Sequence, residues 1–239
     1  MTNLHRACFA VFAVFAGAAT TFAVGCGDDP AVVPPAADAG PSSAACTGDC
    51  ECTGAVCSCK AGGTCTFGAA APDGGLSEAA APPSNVTFDC NSEATCDITC
   101  GTGCTSTCEA KATCEGSCGS GCTSTCTGQA DCNLETGANS TVTCGGGSAC
   151  NVTIGTGSTL TCTGDSVCKI ECPNGGCTAA CAGSSSCEVN CGGTTPCTIA
   201  CNGDRTEQCA PGTKCTSACG KGDGSGGGDG GGGGRRDAQ

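Results

Sequence analysis

Cysteine is the residue type that could carry chemistry in this chain, because it occurs 32 times among 239 residues. A thiol can form a disulfide, hold a metal ion or act as a nucleophile. Nucleophilic catalysis by serine or cysteine ordinarily needs a histidine base, and mixed Cys/His zinc sites need histidine ligands. The single histidine, His5, lies in the apolar N-terminal run, and the chain has no Trp or Tyr. We therefore predict no catalytic residue and turn to the spacing of the cysteines.

The cysteine spacing is periodic. From Cys90 to Cys162 a cysteine recurs every 18 residues, and each is followed six residues later by a second one. A fixed short period is typical of a solenoid, in which each coil buries its inner face only against its neighbours. The coils begin at Cys90, Cys108, Cys126, Cys144 and Cys162, the last is stretched to 19 residues, and ten-residue half coils follow at Cys181 and Cys191.

Metal binding is the alternative use of the cysteines, and its natural candidates are the Cys-x-Cys pairs Cys50/Cys52 and Cys57/Cys59. Zinc knuckles gather their ligands in Cys-x-x-Cys clusters. The cysteines of this chain are instead spread at regular intervals along a strand pattern. We therefore predict no metal site and no cofactor.

Each coil is predicted to contain two short strands. In the first, such as Cys-Asp-Ile-Thr-Cys at 96–100, cysteine and aliphatic residues share one face and polar residues the other. The second has the form Cys-Thr-Ser-Thr-Cys, as at 104–108, and Gly-x-Gly turns such as 101–103 join the two because glycine permits a tight corner. The predicted fold class is all-β: a thin, two-faced, disulfide-stapled β-solenoid of 18-residue coils, stacked in parallel about 4.8 Å apart.

A disulfide map follows from this register, because the last inward residue of one strand faces the first inward residue of the next across a turn. In two consecutive coils both partners at the Gly-x-Gly turn are lost together, becoming Thr136 with Ser140 and Ile154 with Ser158. Loss in pairs favours this map over the alternative, a ladder between equivalent cysteines of adjacent coils, which also fits the spacing. The map pairs Cys90–Cys96, Cys100–Cys104, Cys108–Cys114, Cys118–Cys122, Cys126–Cys132, Cys144–Cys150, Cys162–Cys168, Cys172–Cys177, Cys181–Cys187 and Cys191–Cys197.

Cross-links must replace much of a hydrophobic core. Between Cys90 and Cys219 the sequence has ten large aliphatic residues and no aromatic one. Burial of ten such side chains cannot offset the ordering of 130 residues at roughly 1–2 kcal/mol each. A disulfide that closes a short loop adds about 2–3 kcal/mol by restricting the unfolded chain. The formal charge of −13 argues against a nucleic-acid partner, because phosphate binding needs a basic surface.

The N-terminus has the pattern of an export signal. Arg6 precedes an apolar run rich in Ala, Val, Phe and Gly, which ends in Ala-Val-Gly-Cys at 23–26. This ending resembles the lipobox of bacterial lipoproteins, although Ala23 stands where Leu is commonest. The resemblance implies that Cys26 is the lipid anchor, that the membrane is a partner through this lipid, and that Gly27 favours sorting to the outer membrane. The alternative is an ordinary signal peptide cut at a nearby small-residue site.

Composition divides the chain into six segments. Export places the cysteines in an oxidising compartment, where disulfides persist. The connectivity within Cys46–Cys65, and among Cys201, Cys209, Cys215 and Cys219, does not follow from the sequence. The segments are a signal peptide (1–25), a lipid-anchored Pro/Ala-rich tether (26–45), a small six-cysteine module (46–67), a linker (68–85), the cysteine-rich β-solenoid (86–219) and a disordered Gly-rich tail (220–239).

Threonine occupies the outward positions of the second strand in four consecutive coils. Two residues along a strand span about 6.7 Å and neighbouring coils lie about 4.8 Å apart, so these threonines form a flat, uncharged lattice. The arrangement resembles the ice-binding faces of insect antifreeze proteins, which are also cysteine-stapled solenoids but repeat every 12 residues in the closest case. The alternative is that threonine simply favours exposed strand positions. The predicted binding face is Thr105, Thr107, Thr123, Thr125, Thr141, Thr143, Thr159 and Thr161.

These features together predict a noncatalytic, exported lipoprotein of the outer membrane or cell surface, with a structural or adhesive role. The alternative function is recognition of ice or another ordered surface by the threonine face; the sequence names no ligand. Polysaccharide-cleaving β-helices need gathered carboxylates, usually with aromatic platforms for the sugar rings. The outward acids here are scattered along the sequence and predict a solvated face: Asp97, Glu115, Glu135, Glu171 and Glu188.

Overall fold

The computed structural model describes residues 44–70, 75–76, 80–202 and 205–218, and these residues contain strands and no helix. The strands are numbered in chain order and form two sheets. Sheet 1 has the order β1 (Ala44–Gly48), β4 (Thr64–Ala69), β6 (Thr95–Cys100), β8 (Thr113–Cys118), β10 (Asp131–Thr136), β12 (Ala149–Ile154), β14 (Val167–Cys172), β16 (Ser186–Cys191) and β19 (Thr213–Ala218). Sheet 2 has the order β18 (Arg205–Cys209), β17 (Cys197–Cys201), β15 (Thr178–Cys181), β13 (Thr159–Cys162), β11 (Thr141–Cys144), β9 (Thr123–Cys126), β7 (Thr105–Cys108), β5 (Thr87–Cys90), β3 (Val56–Cys59) and β2 (Cys50–Thr53).

Successive coils stack in parallel with the register that the 18-residue period predicts. Each coil contributes one strand to each sheet, and equivalent residues are direct partners: Cys132 of β10 lies between Cys114 of β8 and Cys150 of β12. Sheet 2 repeats the arrangement, with Cys126 between Cys108 and Cys144. The predicted all-β, disulfide-stapled solenoid is confirmed. The predicted signal peptide, most of the tether and the Gly-rich tail lie outside the described residues.

The core lies between the two sheets and is made largely of sulfur. Along β6 every second residue is buried, so Cys96, Ile98 and Cys100 point inward, while their polar neighbours are exposed. The same alternation runs through β10, β12, β14 and β16. Aromatic packing is confined to one end, where the rings of Phe67 and Phe88 lie 5.3 Å apart. The cysteines therefore occupy space that a larger domain fills with aliphatic side chains.

The corner between a sheet 2 strand and the next sheet 1 strand needs left-handed backbone. In four coils two consecutive residues there have positive φ, and in the coil that starts at Cys108 they are Ala110 (φ 51) and Lys111 (φ 66). Glycine takes the first of these positions in later coils, at Gly128 and Gly146. Two consecutive positive φ values are the requirement of a type I′ turn, which glycine meets without steric cost.

Antiparallel strands close both ends of the stack. At the N-terminal end β1 pairs with β4 and β2 with β3, while β3 and β4 pair in parallel with β5 and β6. At the other end β19 covers β16 and β18 covers β17. The segment that the sequence treats as a separate six-cysteine module (46–67) is thus hydrogen-bonded into both sheets. Its strands form the first layer of the solenoid, and the reversed strands cover the parallel edges.

Candidate functional site

Disulfides join the two strands of each coil across its corners. All ten pairs of the sequence map are bonded in the structure, with Cα–Cα distances from 5.9 to 6.6 Å, which is within the usual range for disulfides. The end layers add four pairs that the sequence left open: Cys46–Cys50, Cys52–Cys57, Cys59–Cys65 and Cys209–Cys215. Cys201 is disulfide-bonded as well. Cys26, the predicted lipid anchor, lies outside the described residues.

Parallel stacking brings sulfur atoms of neighbouring coils close together. In five places three cysteine sulfurs lie within 4.8 Å of one another, as at Cys108, Cys114 and Cys132. Each of these sulfurs is part of a disulfide, whereas a metal ligand must be a thiolate. The Cys-x-Cys pairs considered for metal binding are also oxidised, since Cys52 is bonded to Cys57. The stacked sulfurs therefore act as core packing in the oxidised protein.

The eight threonines of the predicted face lie together on the outer side of sheet 2. In one column Thr105, Thr123, Thr141 and Thr159 are direct register partners, and in the other Thr107, Thr125, Thr143 and Thr161 are. Their inward neighbours on the same strands are buried or half-buried. Backbone hydrogen bonds of 2.8–2.9 Å from the first column to the preceding coil fix the stacking.

The first column is longer than the sequence analysis recognised. Thr87 continues it before Thr105, and Thr178 and Thr198 continue it after Thr159, so seven consecutive coils carry threonine there. The second column ends at Asp89 on one side and at Ala180 on the other. The missing signal was the spacing Thr-x-x-Cys, which precedes Cys90, Cys181 and Cys201 just as it precedes the cysteines of the four coils.

The outer side of sheet 1 is charged, in contrast to the threonine face. Asp97 and Glu115 are direct register partners, so these two acids are neighbours and not scattered as the sequence suggested. Further along, the Asn151 amide donates to Asn133 over 3.3 Å and the Asn190 amide donates to Glu171 over 2.7 Å. The two outer surfaces therefore offer different chemistry: hydroxyl and methyl groups on sheet 2, and carboxylates and amides on sheet 1.

The wall of sheet 1 is thinnest at β8. Gly116 has a φ of 142° and takes the inward position that Ile98 and Leu134 fill in the neighbouring strands. A cavity of about 10 Å³ lies behind it, and Cys118 at its border is half-buried while the equivalent Cys100 is 4% exposed. Sequence reasoning missed this opening, although a glycine at an aliphatic position was visible.

The disulfide content is consistent with an exported or extracellular protein. Within the described part of the chain there is no helix of the length and apolarity needed to cross a bilayer. Comparison of the chain with protein-family models, with curated proteins and with solved structures finds no match.

Proposed function

We propose that the chain is a noncatalytic, exported lipoprotein with a structural or adhesive role, held at the outer membrane or cell surface by a lipid on Cys26. The observation that carries this proposal is the use of the cysteines. Disulfides span the corners of every coil and lie in the core, where they resist unfolding and proteolysis without offering a reactive thiol. The lipobox-like ending at 23–26 supports the anchor.

Acylation of the full chain tests the anchor. In a bacterial host that processes lipoproteins, labelled palmitate should be incorporated into the wild-type chain, which should sediment with membranes. Cys26→Ala should lose the label and leave the membrane fraction. A wild-type chain that is secreted without label contradicts the lipid anchor. A protease series on the oxidised and the reduced chain tests the structural role: the oxidised chain should survive protease concentrations at least ten times higher.

The threonine face is the surface that we assign to adhesion. It is uncharged over the four coils that carry both threonine columns, and its geometry is fixed by the parallel register. A surface of this kind suits an extended, regular target because groups repeat at about 6.7 Å along the strands and about 4.8 Å across them. An irregular protein partner gains nothing from such repetition.

Recognition of ice is the second candidate function, and the seven-threonine column is the observation that favours it. Ice adsorption and thermal hysteresis of the oxidised chain measure it directly. Thr123→Tyr with Thr141→Tyr should abolish both, because each adds a bulky ring to the lattice. Asn133→Tyr with Asn151→Tyr makes the same change on the opposite face of the corresponding coils and should leave both unchanged. Absence of hysteresis in the wild type removes this candidate and leaves the structural role intact.

A further inference from the structure

Cys118 is the one cysteine between Cys90 and Cys197 that is not buried. The other eighteen cysteines in this range are at most 4% exposed, and the residues that occupy the position of Cys118 in neighbouring strands, Cys100 and Thr136, are each 4% exposed. The difference has a local cause, because Gly116 two residues earlier leaves an inward position of β8 without a side chain. Sγ of Cys118 is therefore within reach of a small molecule from solvent.

We infer that the Cys118–Cys122 disulfide is a modification site for small thiols, and the point at which thiol–disulfide exchange enters the parallel coils. The entering thiolate attacks Sγ of Cys118, a new S–S bond forms between them, and the bond to Sγ of Cys122 breaks. The electron pair of that bond leaves with Cys122 as a thiolate, which then takes a proton from water. Attack at Cys118 is favoured over attack at Cys122, which is 1% exposed.

The surroundings can accept both products of this step. Sγ of Cys122 lies 3.3 Å from the carbonyl oxygen of Gly119, so the released thiol has a hydrogen-bond acceptor once it is protonated. The cavity of about 10 Å³ beside Cys118 gives its side chain room to rotate away from Cys122. The cavity is too small to hold the thiol itself, which must remain at the outer surface of sheet 1.

Charge at this surface selects the class of thiol. Glu135 lines the cavity, and Glu115 and Asp97 lie on the adjacent strands, while the outward positions of β6, β8 and β10 carry no Lys or Arg. A unit charge about 8 Å away in water changes a local concentration by about twofold. Several carboxylates therefore favour a cationic aminothiol over a thiol that carries a carboxylate by about five- to tenfold, and added salt weakens the preference.

Trapped exchange on the oxidised full chain tests the site. The protein is incubated at 0.1 M salt with cysteamine or with 3-mercaptopropionate, free thiols are alkylated, and modified cysteines are identified by peptide mass spectrometry. Rates are normalised to the thiolate concentration of each reagent. The end-layer cysteines Cys46 and Cys50 are half-buried and react as well, so the comparison is confined to disulfides between Cys90 and Cys197.

We expect the mixed disulfide at Cys118 to form at least tenfold faster than one at Cys100 or Cys104, which close a loop of the same length. Cysteamine should react faster than 3-mercaptopropionate at Cys118, and Glu135→Gln should reduce that ratio about fourfold. Glu207→Gln, which removes a carboxylate from the last strand of sheet 2, should not change it. First modification at any other disulfide of the range overturns the site, and an unchanged ratio in Glu135→Gln overturns the thiol class.

Discussion

Replacement of one disulfide by the residues that other coils use in its place is the sharpest test of what the cross-links contribute. Cys100 and Cys104 form the bridge across a Gly-x-Gly turn, and the equivalent positions in a later coil are Ile154 and Ser158. Ile154 is fully buried, and Oγ of Ser158 accepts a hydrogen bond from the Ser140 amide over 3.0 Å. The change is therefore Cys100→Ile with Cys104→Ser.

The expected loss follows from two opposing terms. Removing a cross-link between residues four apart returns entropy to the unfolded chain, which costs about 2 kcal/mol. The buried isoleucine restores roughly 1 kcal/mol, and the cavity beside Cys100 gives it room. We therefore expect the free energy of unfolding to fall by about 1 kcal/mol. Cys100→Ser with Cys104→Ser lacks the apolar replacement and buries a hydroxyl, so it should lose about 3 kcal/mol.

Urea denaturation of the oxidised variants, monitored by far-ultraviolet circular dichroism, measures both changes. The midpoint of the Ile/Ser variant should lie clearly above that of the Ser/Ser variant at similar m-values. Equal losses in the two variants would refute the reasoning, because the buried side chain would then contribute nothing. A larger loss in the Ile/Ser variant would show that position 100 cannot hold the side chain that position 154 holds.

Three further changes test the backbone and the buried polar atoms, with the urea midpoint as the measurement in each case. Gly116→Ala should destabilise by about 3 kcal/mol or more, because its Cβ would overlap the backbone of β6, while Gly121→Ala, which meets no atom within 4 Å, should cost about 1 kcal/mol; similar losses in both contradict the close approach at β8. Ala110→Gly should stabilise by roughly 0.5–1 kcal/mol by relieving a left-handed alanine, whereas Gly128→Ala should destabilise, since its Cβ would lie 2.9 Å from the Ala110 nitrogen; a lower midpoint for Ala110→Gly opposes this account. Thr136→Val should stabilise by about 1 kcal/mol, because Oγ1 of Thr136 is buried without a hydrogen-bond partner, and a destabilised variant would indicate that the hydroxyl is satisfied in solution.

Much of the fold could be predicted because the repeat is local and strict. A corner disulfide joins residues four to six apart, so its partners follow from the alternation of inward and outward positions without knowledge of the rest of the chain. The eight predicted threonines share one face for the same reason, since equal positions in an 18-residue period must stack. The acids did not follow, because Asp97 and Glu115 become neighbours only through the pairing of β6 with β8.

The sequence by itself determined the coil: its period, its two strands, its turns and its staples. Each depends on contacts within about 18 residues or on an exact repeat, and an amino-acid pattern records both directly. Only the tertiary structure decided what happens where the repeat fails. The reversal of β1, β2, β18 and β19 covers edges that periodicity alone would leave open, and it turns the six-cysteine segment into the first layer of the stack. The gap at Gly116 likewise exists only because its neighbours in space carry side chains that it lacks.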